Sequence, residues 1–136
     1  MKTELFWILL TLTLITSGCE KIEMKRELTG YWTIFGNWGA TVNFNTVRFR
    51  RNGDYKFFRN DTAIDIGSYK IYENHEDWLK GLGDFVIDFN SKYKQGRGAS
   101  MLRTDEPLVI QEISHDSIGF YEIGYDAPSY YFKRLD

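Results

Sequence analysis

The chain has 136 residues, of which 26% are charged and 17% aromatic, and a net charge of -2. That balance gives no global attraction to nucleic acid, and no basic recognition motif accompanies it, so a nucleic-acid partner is excluded. The single cysteine, Cys19, excludes an internal disulfide framework.

The chain opens with a positive start at the free amine and Lys2, an apolar run from Leu5 to Ile15, and the small residues Thr16, Ser17 and Gly18 directly before Cys19. This is the order of a secretory leader. Its 11-residue apolar run falls short of the roughly 20 residues that a membrane-spanning helix needs. Thr16-Ser17-Gly18-Cys19 resembles the lipobox of bacterial lipoproteins, with Thr16 standing where that family most often carries Leu, Val or Ile. The resemblance implies a signal peptide over residues 1–18, acylation of Cys19 by membrane lipid, and a lipid-anchored place in the bacterial cell envelope, at the outer membrane.

Removal of residues 1–18 leaves 118 residues, a usual length for one domain. Glu20 to Glu27 is dense in both signs of charge and poor in apolar residues, so residues 19–27 read as the lipidated cysteine and a tether. Eight extended residues span at most about 28 Å. The domain then occupies residues 28–136.

From Leu28 onward apolar and polar residues alternate in short runs. Val47 and Phe49 lead into Asn52-Gly53, and Tyr55 and Phe57 lead out, which predicts a hairpin with a two-residue turn and positive φ at both central positions. Ile64 and Ile66 change phase with Tyr69 and Ile71 across Gly67-Ser68, which predicts a β-bulge and a bend at Gly67. Asn74 reads as the cap of one short helical turn, His75 to Lys80, stopped by Gly81. Phe85, Ile87 and Phe89 alternate again, and Ser91 to Ser100 reads as a loop. Leu108 to Ile113 and Ile118 to Ile123 read as strands joined by the turn Ser114 to Ser117, and Tyr130 to Leu135 closes the chain. Eight or nine short strands with no helix long enough for βαβ units predict an all-β, antiparallel up-and-down barrel.

Gly30-Tyr31-Trp32 matches the Gly-x-Trp signature of the lipocalins. Together with Leu28-Thr29, Val47-Arg48-Phe49, Asn52-Gly53-Asp54-Tyr55, Gly67 to Ile71, Ile113 to Ile118 and Tyr131 to Arg134, it makes the domain resemble the small lipocalin-like lipoproteins of Bacteroidetes-type bacteria. The resemblance implies that Gly30 and Trp32 lie at the closed end of the barrel, with Trp32 under a basic side chain from near the last strand, Arg134 or else Lys133. It also implies a calyx for a small apolar or amphipathic ligand. Inward candidates besides Trp32 are Phe44, Phe49, Phe57, Tyr69, Phe85, Ile87, Phe120 and Phe132. So many large rings are also enough to fill an eight-stranded lumen. The alternative is therefore a filled barrel that meets an envelope protein, polysaccharide or host factor through its surface.

His75 and His115 are the only histidines, and neither has metal-ligand spacing. No nucleophile elbow surrounds Ser114 or Ser117. Neither enzymatic activity nor a cofactor is expected. Glu73, Glu76, Asp77 and Asp84 crowd one loop without the ordered spacing of a calcium site. Arg48, Arg50, Arg51, Lys56 and Arg59 cluster on the hairpin, where they either meet phosphate-bearing lipid or polysaccharide or simply guard a solvated wall. Trp38, Trp78 and Leu79 are expected near the barrel mouth, as an apolar patch or as a plug.

Overall fold

Stretches in which every second side chain is apolar leave one face of a pleated strand to bury. In a computed structural model that describes residues 18–38, 42–75, 81–92, 106–123 and 128–135, these stretches form eight strands. They are β1 (Gly30–Trp38), β2 (Thr46–Phe49), β3 (Asp54–Arg59), β4 (Thr62–Glu73), β5 (Phe85–Ser91), β6 (Leu108–Ile113), β7 (Ser117–Glu122) and β8 (Ser129–Arg134). Each pairs antiparallel with its neighbours in sequence, and β1 pairs with β8 from Trp32 opposite Arg134 to Trp38 opposite Ser129. The sheet thus closes into an up-and-down barrel, which leaves no open edge for another chain to extend.

One end of the barrel carries the start of β1, the 50–53 turn, the 74–84 loop, the 114–116 turn and the end of β8. The segment expected to be an extended tether crosses this end as a helix, α1, over residues 18–28. Leu28 is fully buried in the core and Met24 packs against it. Four residues apart, they share one helical face, and burying that face is what orders a segment otherwise made of charges.

Three local expectations change. The 50–53 hairpin is present, but Gly53 N–H donates to Arg50 O at 3.0 Å and, of the turn residues, only Gly53 has a positive φ, +94°. Asn52 instead bonds Asp54 with its side chain, accepting from the backbone N–H at 3.1 Å, which supports an ordinary φ at Asn52. The two-residue turn with positive φ at both centres falls at Asn60 (45°) and Asp61 (67°), between β3 and β4.

β4 does not change phase at Gly67. Asp65, Gly67, Tyr69 and Ile71 are all buried in strict alternation, and the register shift lies at Ile64, where Phe57 faces Asp65 and Phe58 faces Ala63. A Cβ at Gly67 would stand 2.1 Å from Asn90 O and 2.9 Å from the Tyr55 ring, so close approach explains this glycine.

Asn74 closes its loop across the base. Its backbone N–H donates to Asp84 O at 2.8 Å and its side-chain amide to Gly83 O at 2.9 Å. The helical turn expected at 75–80 lies, beyond His75, outside the described residues.

Candidate functional site

At the helix-bearing end, Trp32 is fully buried and its Nε1–H donates to Leu28 O at 2.8 Å. The Arg134 guanidinium lies 4.1 Å from the centroid of the Trp32 ring. Arg134 also donates to Thr29 O at 2.9 Å, to Glu27 O and to His115 O. These first two carbonyls belong to the end of α1, where the helix dipole and unsatisfied oxygens attract a cation. Gly30 completes the arrangement: its φ is +136°, and a Cβ there would sit 2.7 Å from Arg134 Nη1. Lys133, the other basic candidate, is exposed on the outside wall.

The same end is fastened a second time. Tyr69 OH donates to Arg50 O at 2.8 Å, and Lys25 Nζ of α1 lies 5.7 Å from the Tyr69 ring centroid. Burial, then the Asp54 charge, pushes the Tyr69 hydroxyl up to about 12. It therefore stays a proton donor throughout the neutral range.

The lumen residues expected from the sequence, Phe44, Phe49, Phe57, Tyr69, Phe85, Ile87, Phe120 and Phe132, are all buried in one core with Trp32. The rings touch across the barrel. Phe49 of β2, Phe89 of β5 and Phe120 of β7 lie 6.1, 6.3 and 6.4 Å apart pairwise, and the three strands are spread around the wall. Phe89 also meets Tyr55 at 5.0 Å and Phe57 at 5.9 Å. Such separations are those of aromatic pairs in contact. Phe44, from the chain before β2, packs at 4.5 Å on Phe57 and stacks at 6.0 Å on Phe132.

Sequence reasoning missed two acids that share this lumen. Asp65 of β4 is fully buried and accepts from Ser91 Oγ at 2.5 Å and from Tyr55 OH at 3.3 Å. Glu122 of β7 is buried and accepts from Tyr130 OH. Burial raises the Asp65 carboxyl above its ordinary value, against the opposing pull of the Ser91 and Tyr55 hydrogen bonds. The folded chain then holds this proton to higher pH than the unfolded chain does. Stability from this group is full below the unfolded value and falls as pH rises through the folded one. Asp65→Asn keeps an acceptor oxygen without a charge, so its melting temperature is expected to fall less than that of the parent between about pH 4 and 8. Parallel melting curves for the two proteins across that range would show that Asp65 carries no such linkage.

The basic hairpin divides. Arg48 lies 5.0 Å from the Tyr31 ring, Arg59 donates to Asn43 O at 2.8 Å, and Arg50 and Arg51 are exposed on the turn beside α1. On the outer wall Tyr31, Asn45, Thr46, Phe58, Asp61 and Leu135 line a groove of about 310 Å³. Ser114 Oγ accepts from the backbone N–H groups of Asp116 and Ser117 at 3.3 and 3.1 Å, so it closes a turn. Both histidines are exposed. Among the described residues no group of three or more potential ligands is placed to hold a metal ion. The side chain of Trp38, and Glu76, Asp77, Trp78 and Leu79, lie outside the described residues. Cys19 is on α1, exposed and unpaired. No protein-family model matches the chain, and no curated protein or solved structure matches it either.

Proposed function

We propose that the chain is a lipid-anchored lipoprotein of the bacterial cell envelope, carrying a lipocalin-like barrel that acts through its surface rather than as an enzyme. Acylated Cys19 supplies the anchor, and the domain meets an envelope protein, polysaccharide or host factor. The observation that carries the choice of surface over calyx is the contact among Phe49, Phe89 and Phe120 across the lumen. A long apolar ligand has no path past three touching rings to the Trp32 end. The bacterial leader pattern and the lone cysteine support the anchor.

The first test is titration of the purified protein with a fatty acid and with an environment-sensitive fluorophore. Neither is expected to bind at 1:1 or to quench tryptophan. Stoichiometric binding with quenching would restore the calyx and its small apolar ligand. Cys19→Ser, in turn, is expected to move the protein from the membrane fraction to the soluble fraction, because one residue holds the whole anchor.

A further inference from the structure

Six large hydrophobic side chains stand exposed among the described residues: Ile22, Tyr31, Phe35, Tyr72, Leu82 and Leu135. All but Phe35 are carried at the end of the barrel crossed by α1, where Tyr31 and Leu135 also face the outer-wall groove that they share with Asn45, Thr46, Phe58 and Asp61. Tyr31 is the second residue of β1 and Leu135 follows β8, and the Leu135 backbone N–H donates to Tyr31 O at 2.9 Å. Tyr72 is the penultimate residue of β4 and Leu82 lies in the loop that follows, on the opposite side of the barrel. Ile22 is on α1, three residues from Cys19, so the two share a helical face. That face points away from the barrel, because Met24 and Leu28 turn the other face inward. The same face carries Arg26 and Glu23, four residues on from Ile22 and Cys19 and paired with each other at 3.6 Å, and Glu20 and Lys21 are exposed on α1 as well.

We infer that this end is a seat on the lipid bilayer, with the apolar rim entering the headgroup boundary and α1 lying between barrel and membrane. The occupant follows from where the chain leads. The anchoring cysteine is itself part of α1, so under the acyl-anchor proposal lipid lies at this end. Tyrosine with isolated aliphatic side chains is the composition that settles at a membrane interface. Arg50 and Arg51 are offset at the same end by Glu73, Asp84 and Asp116, all exposed. The seat therefore takes neutral phosphatidylcholine and resists salt, unlike binding driven by anionic lipid.

The inference deepens the anchoring proposal and is separable from it. The full chain, made with its own leader, is reconstituted in phosphatidylcholine vesicles with a polarity-sensitive thiol dye at Leu82→Cys, Leu135→Cys or, at the other end of the barrel, Lys92→Cys. The dyes at 82 and 135 are expected to shift to the blue and to lose about half their emission or more to quenchers carried on the lipid, in low or high salt alike. The dye at 92 is expected to do neither. Mass spectrometry of the N-terminus reads the anchor independently. Lipid on Cys19 with water-exposed dyes at 82 and 135 overturns the seat and leaves the anchor standing. Quenched dyes without lipid on Cys19, reproduced in a Cys19→Ser background so that the dye reports 82 and 135 alone, support the seat and overturn the acyl anchor. A chain that does not float with the vesicles overturns both.

Discussion

Trp32→Ala is expected to destabilise the domain by about 3–5 kcal/mol, the range for removing a buried large aromatic side chain. Three losses coincide. The largest buried side chain disappears from the core, Leu28 O loses its donor, and Arg134 loses the ring 4.1 Å away. At about 4–8 °C per kcal/mol for a small domain, the melting temperature falls by more than about 12 °C. Trp32→Phe separates the contributions. It keeps an aromatic face under the guanidinium and loses the indole N–H, so its cost is expected to be a fraction of that of alanine. A shift of under about 2 °C for Trp32→Ala in thermal unfolding would mean that this site does not hold the barrel end together.

The second large effect lies in the lumen. Phe89 meets Tyr55, Phe57, Phe49 and Phe120, so Phe89→Ala removes the ring around which the others are arranged. The expected loss is again about 3–5 kcal/mol, read by denaturant titration. The functional consequence is a gain. Apolar voids left by large-to-small substitutions stay dry and admit small apolar molecules. The variant is therefore expected to bind benzene-sized probes or a small fluorophore that the parent excludes. Equal uptake by both proteins would place the probe elsewhere and would remove the ring contacts as the reason for a closed lumen.

The barrel was legible because the period-two signal is strong wherever apolar rings alternate with polar residues, as at Phe85, Ile87 and Phe89. It failed in β4, where the inward position holds Asp65, Ile64 reaches the core only because the register shifts there, and Ile66 continues the apolar pattern on the outer face. A buried acid defeats a hydrophobicity pattern by definition, and nothing else in the segment marks it. Turn chemistry was legible as location but not as type. Asn-Gly at 52–53 suits either a two-residue turn or the observed turn with its Asn side chain bonded to Asp54, and the choice is made by strand register. The 20–27 segment was misread from composition alone. The four-residue spacing of Met24 and Leu28, with the Glu23–Arg26 pair three apart, is the helical signal it contained.

The bond from Arg134 to Thr29 joins groups 105 residues apart, and the partner strands β1 and β8 are the first and last of the barrel. Contacts that distant must wait for the whole chain, and their loops are slow to close. During synthesis the first strand therefore keeps one side unpaired, and the indole of Trp32 lacks its guanidinium cover, until the final strand arrives. Closure of the barrel therefore waits on β8, and any chain short of that strand lacks both the ladder to β1 and the guanidinium over Trp32.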